Sequence, residues 1–174
     1  MDIKITQASS DDVPALNTLV NSAYRGEASK KGWTSEADLL DGTRVDENIL
    51  RDLIFKTDTT ILKYEQGGNL VGCVELRKEG RKLYLGMLSV KPDMQANGVG
   101  KKILEASELF ARSQQCSSIC MMVISVRQSL IDWYIRKGYQ LTGKRKPFIV
   151  PDSRWGIPRQ ELEFVVLEKK LIKM

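Results

Sequence analysis

The chain has 174 residues, a length that suits one domain with a single core and leaves little room for two. It is 42% hydrophobic and 28% charged, which excludes extended disorder, and it has no histidine, which excludes Ser-His-Asp and Cys-His catalysis and any histidine-containing zinc site. The net charge of +5 fits nucleic acid, an anionic membrane surface or a polyanionic ligand, but the basic residues fall in scattered groups (Lys30-Lys31, Lys101-Lys102, Lys144-Arg145-Lys146, Lys169-Lys170) that read mostly as solvated faces.

Ile3-Lys4-Ile5-Thr6 alternates like a half-buried strand. Ser9-Ser10-Asp11-Asp12 supplies N-cap chemistry and Pro14 falls in a first turn. A helix is therefore expected through about residue 24, with Val13, Leu16, Leu19, Val20 and Ala23 on its buried stripe. Residues 26–34 read as a loop, Ser35 as the cap of a short helix over 36–40, and 46–55 as a further short helix. Strands over 59–64 and 70–77 flank the turn Gln66-Gly67-Gly68-Asn69, and Glu79-Gly80 turns the chain again into a strand over 83–90. After Pro92, a glycine-containing loop leads to a helix over 98–113 with the stripe Val99, Ile103, Ala106 and Phe110. Residues 118–124 are an apolar strand suited to burial on both faces. A helix over 129–136 ends at Gly138, a strand starts over 139–142, a Pro- and Gly-containing loop covers 144–159, and a last strand covers 161–167.

That order predicts an α/β fold: a mixed sheet with helices on both faces, and a parallel, right-handed strand–helix–strand unit from Leu83 to Ile124. Ligands in such sheets bind where neighbouring strand ends part. The odd cysteine count (Cys73, Cys116, Cys120) points to reduced thiols and a cytoplasmic setting. Met1-Asp2-Ile3-Lys4-Ile5 has no secretory pattern, and no apolar run approaches the roughly 18 residues of a membrane span, so no membrane association is expected.

The chemistry concentrates at Gln95-Ala96-Asn97-Gly98-Val99-Gly100, a strand-to-helix junction. A helix start offers unpaired N–H groups and a positive dipole end, and glycines let the backbone approach a phosphate. Lys101 and Lys102 would each oppose that dipole by roughly 0.3–1 kcal/mol unless an anion sits there. The loop has neither the Lys-Ser/Thr ending of a P-loop nor the third glycine of a dinucleotide fold.

Read as a whole, Leu88-Ser89-Val90-Lys91-Pro92-Asp93-Met94-Gln95-Ala96-Asn97-Gly98-Val99-Gly100 resembles the acetyl-CoA signature of the GCN5-related N-acetyltransferase (GNAT) superfamily. Leu130-Ile131-Asp132-Trp133-Tyr134-Ile135-Arg136-Lys137-Gly138-Tyr139 is similar to a second family segment, at the expected distance downstream. The resemblance covers nearly the whole chain and implies a GNAT-like fold: a central, mostly antiparallel sheet with one parallel, splayed strand pair, forming a single domain over residues 1–174. It also implies acetyl-CoA as acyl donor, no metal, and transfer to a primary amine by direct attack in a ternary complex. Backbone groups of Leu88, Ser89 and Val90 would pair with the pantetheine arm. The N–H groups of Gln95, Ala96, Asn97, Gly98, Val99, Gly100 and Lys101 would hold the pyrophosphate. The N–H near Leu88 would stabilise the oxyanion. Tyr134 would hydrogen-bond the sulfur and protonate the departing thiolate; the alternative is a core aromatic stacked on Leu130.

The family pattern breaks in two places. Many members carry Asn seven residues before the tyrosine; here it is Arg127, which would contact a coenzyme phosphate or face solvent. The position of the family's strand glutamate is Tyr84, an unlikely base, which leaves Glu75 on the preceding strand as the candidate if it faces the cleft, against a solvated carboxylate or a water chain. On the acceptor side, Trp33, Glu36, Asp38, Asp41, Asp46 and Glu47 would attract a cationic amine, or serve as caps and solvated charges. Phe148 and Trp155 would line the opposite wall or anchor their loop. The acceptor is a small molecule or a peptide, and the oligomeric state stays open, a homodimer included. The competing classes are a non-catalytic CoA-binding sensor and, weakest because no basic helix with interleaved aromatics is present, a nucleic-acid binder.

Overall fold

A computed structural model of the protein describes residues 2–25, 29, 35–95, 97–148 and 157–172. In chain order the elements are β1 (Ile3–Gln7), α1 (Val13–Tyr24), β2 (Leu40–Asp41), α2 (Glu47–Phe55), β3 (Thr59–Gln66), β4 (Asn69–Glu79), β5 (Lys82–Val90), α3 (Val99–Ser113), β6 (Ser118–Ile124), α4 (Gln128–Arg136), β7 (Gln140–Pro147), β8 (Ile157–Pro158) and β9 (Glu163–Lys170). Seven strands form one mixed sheet in the order β1-β3-β4-β5-β6-β9-β7. Among the described residues its single parallel pair is β5 with β6; the other neighbours are antiparallel, as the sequence predicts.

Side-chain alternation on β4 divides the core into two layers. Val74 and Leu76 pack with Ile103 and Leu104 of α3 and Ile131 of α4. Cys73 packs on the other face with Leu16 and Val20 of α1 and Leu50 of α2. The helices therefore cover both faces, and Cys73 is strand core as expected.

Two expectations change. Residues 37–39 form a turn rather than a helix, with Ser35 Oγ accepting from the Ala37 N–H (3.1 Å), and the chain continues into β2. β2 pairs with β8, so part of the expected 144–159 loop is strand. The rest of that difference is β7, which runs to Pro147 as an exposed edge through Lys144, Arg145 and Lys146. Charged residues suit an edge strand because they discourage pairing with another chain.

Candidate active site

The site begins with a register fault. Cys73 pairs with Ser89 and Glu75 with Gly86, so one residue of β4 faces two of β5, Met87 and Leu88. Met87 takes up the extra length at φ 54°, in the left-handed region. The bulge reverses the strand's facing: Leu83 and Leu85 point to the α3–α4 layer before it, Met87 joins the α1–α2 layer, and Val90 returns to the first. On its other edge, β5 pairs with β6 only over Lys82↔Ser118, Leu83↔Ile119 and Tyr84↔Cys120. Beyond Tyr84 the two strands part, since β6 stays paired with β9 along its length.

Two cavities meet in that gap. The first holds about 550 Å³ and is lined by Val90, Gln95, Gly98, Gly100, Lys101, Trp133 and Lys137, among others. Gly98 is the N-cap of α3 at φ 81°, a conformation that favours glycine, and a Cβ there would meet nothing within 4 Å. A Cβ on Gly100 would stand 3.3 Å from the Trp133 ring. Among the described residues no side chain caps α3, its first turn holds no acidic residue, and Gly98, Gly100 and Lys101 at its start line this groove. Gln95 donates its side-chain amide to the Val90 carbonyl (3.0 Å), fixing the loop to the end of β5. Ser89 is buried with its hydroxyl turned back to the Met87 carbonyl, while Asn97 is exposed. Ala96 lies outside the described residues.

The second cavity holds about 230 Å³ between the parted strands. Tyr24, Leu88, Leu130 and Tyr134 line both cavities. The Tyr24 hydroxyl donates to the Leu88 carbonyl, tying α1 to the bulge. Burial pushes the Tyr24 phenol up to about 12, with the Glu36 carboxylate adding to the shift. Tyr134 is 5% exposed, and burial raises its phenol well above the ordinary value, with Tyr24 next among the causes. Its ring packs edge-on against Trp133 and Tyr139, and among the described residues its hydroxyl makes no protein hydrogen bond.

Charges in the second cavity differ from expectation. Glu36, read as a candidate attractor for a cationic amine, is buried and held by two arginines: Arg25 Nη2 at 3.0 Å and Arg127 Nη1 at 3.3 Å. Arg127, expected at a coenzyme phosphate or in solvent, lines this cavity with its side chain only 9% exposed. The reason is long-range: Arg127 leads α4 but meets Glu36 from 91 residues away. Asp46 caps α2 by accepting from the Ile49 N–H at 2.8 Å, and Asp38 is exposed. Trp33, Trp155 and the Asp41 side chain lie outside the described residues.

Glu75 is not a solvated carboxylate. It is 9% exposed, and its Oε2 would stand 3.5 Å from a Cβ on Gly86, a cavity-lining residue. Burial raises its carboxyl above the ordinary range, partly offset by the Arg44 and Arg77 guanidiniums. Tyr84, beside it, is likewise raised by burial. Phe148 lines the cavity and packs on Phe164 at 4.9 Å between ring centres.

No curated protein matches the chain by sequence. Solved structures do match. The ribosomal-protein-S18-alanine N-acetyltransferase from Escherichia coli superposes with a TM-score of 0.74 at 12% identity, over 99% of this chain and 96% of that one. PaiA N-acetyltransferase from Thermoplasma acidophilum, in complex with coenzyme A, gives 0.72 at 18%, over 98% and 100%. Salmonella typhimurium yncA, with its cofactor acetyl-CoA, gives 0.70 at 17%, over 99% and 95%. At such identities the likeness is one of fold. The sequence profile of the acetyltransferase (GNAT) domain matches residues 33–148, more than half of the chain, which therefore belongs to the GNAT acetyltransferase family.

Proposed function

We propose that the chain, as one domain, is an N-acetyltransferase that uses acetyl-CoA to acetylate a primary amine, on a small molecule or a peptide, in a ternary complex. The observation that carries this reading is the meeting of two cavities at Tyr24, Leu88, Leu130 and Tyr134, where β5 and β6 part. One cavity suits the donor and the other the acceptor. The donor groove fits the coenzyme by its own features: an uncapped helix start, a left-handed glycine with open space around it, and cationic Lys101 and Lys137. Acetyl-CoA, when bound, supplies an activated acyl thioester.

The chain supplies the rest. Backbone N–H groups from Gln95 through Lys101, Ala96, Asn97, Gly98, Val99 and Gly100 included, hold the diphosphate. Leu88, Ser89 and Val90 offer a strand edge to the pantetheine arm, since β6 has turned away from it. The Leu88 amide, at the bulge, stabilises negative charge building on the carbonyl oxygen. Tyr134 stays protonated across the working pH range and donates to the leaving sulfur. Glu75, with its raised carboxyl behind Gly86, takes the amine proton through water. Arg127 braces Glu36 on the acceptor side. The unbridged cysteines support a cytoplasmic setting.

One observation favours a non-catalytic CoA-binding module on the same fold. Glu36, a cavity-lining carboxylate, is neutralised by arginines, and Glu75 lies one residue behind the wall. Thiol release over a panel of amines separates the two readings. Transfer predicts turnover that Tyr134→Phe lowers on the order of 10²-fold or more, with acetyl-CoA affinity retained. Binding without turnover of any amine, unaltered by Tyr134→Phe, would establish the module instead.

A further inference from the structure

Gly86 lies in the interior of β5, where a glycine weakens the strand and adds no packing. Its φ is not positive, so the backbone there does not call for glycine. The reason lies across the strands. Glu75 is the register partner of Gly86 on β4, and Ile61 is the partner of Glu75 on β3, so these residues share one face of the sheet. On that face the Glu75 carboxylate has the buried, apolar Ile61 on one side and no side chain on the other. Buried as it is, it makes no hydrogen bond or ion pair among the described residues. A carboxylate so placed is costly unless water or a ligand reaches it.

The way in runs over Gly86. β5 loses its pairing to β6 after Tyr84, so the far side of Gly86 opens on the chamber between the strands, which Gly86 lines and Glu75 does not. A Cβ at Gly86 would stand 3.5 Å from Glu75 Oε2 and 3.2 Å from Cε1 of Tyr84, filling the space between the carboxylate and the chamber. A water in the same place is a small shift from a hydrogen bond to Oε2. The Arg77 guanidinium lies over the Tyr84 ring, 4.5 Å from its centre, and holds that ring beside the opening.

We propose that Gly86 is a positioning residue for proton removal: its missing side chain is an aperture for a water that joins Glu75 to the acceptor amine. This rests on the acetyl-transfer reading above. The water gives a proton to the Glu75 carboxylate and takes one from the amine nitrogen as that nitrogen bonds the acetyl carbon. The water is regenerated and the carboxylate becomes a carboxylic acid. The test measures thiol release by Gly86→Ala, Glu75→Gln and the double variant, with n-butylamine, the common amino acids and a lysine-containing peptide as acceptors. Gly86→Ala is expected to lower kcat about 10-fold or more, with acetyl-CoA affinity by calorimetry unchanged. The double variant is expected to be no slower than Glu75→Gln alone, because both changes cut the same path. Losses that multiply would make Gly86 a packing position beside Tyr84 and overturn the inference, as would parental kcat in Gly86→Ala; either result leaves acetyl transfer standing. A second measurement keeps Gly86 and does not depend on its variant folding. Formate, a carboxylate small enough to enter by the aperture, is expected to restore part of the rate lost in Glu75→Ala, and no restoration would overturn the inference. No turnover of any amine by enzyme shown calorimetrically to bind acetyl-CoA would overturn both readings.

Discussion

Glu75 and Tyr134 sit in similar burial but do opposite things with it. Burial raises both groups. Under the proposed function, this keeps the proton on Tyr134 as donor and moves the Glu75 carboxyl toward the pH at which a base works best. If Glu75 takes the amine proton, kcat/KM rises with pH through its raised carboxyl, above the ordinary range near 4.3. Glu75→Gln is expected to lower the rate and erase that limb; a pH profile that keeps the limb would assign it elsewhere. The stability sign follows from linkage. A carboxyl raised in the folded state binds more protons there than when unfolded, so its ionisation destabilises the fold as pH rises. Glu75→Gln should therefore melt higher than the parent at pH 7, with the gain shrinking in acid. The position of Tyr134 on α4 was legible because its motif is local. Tyr24 and the Arg25–Glu36–Arg127 bridge were not, because their partners lie 64, 11 and 91 residues away and nothing in a short window announces them.

Under the proposed function, helix α3 carries the phosphate end of the site through its first turn. Gly100→Asp places a Cβ 3.3 Å from Trp133 and a carboxylate beside the leading N–H groups. It should abolish acetyl-CoA binding by calorimetry while circular dichroism and melting stay close to the parent; retained affinity would move the site. Asp46→Ala removes the α2 cap to the Ile49 N–H and should cost about 1 kcal/mol in urea unfolding, far from the coenzyme groove. Elements with a clear period were readable: α3, β6 and the β3–β4–β5 meander lie within a few residues of expectation. The β2–β8 pairing was not, since two-residue strands have no period and exist only once Leu40 meets Pro158. β7 was partly missed because both its charged run and its fully exposed face look like loop.

Across the whole sheet, one local fault and one divergence create the site. The bulge at Met87 and Leu88 re-aims β5, and the split beyond Tyr84 frees its edge. The sequence could place the parallel strand pair from topology, and the glycine loop from its motif. It could not place the bulge, because Met87 has no residue type that signals positive φ. The most direct test of the account is a crystal structure of the chain with coenzyme A. The diphosphate should accept hydrogen bonds from the amides at the start of α3, with the sulfur beside the Tyr134 hydroxyl. A coenzyme bound elsewhere, or a sulfur far from Tyr134, would contradict it.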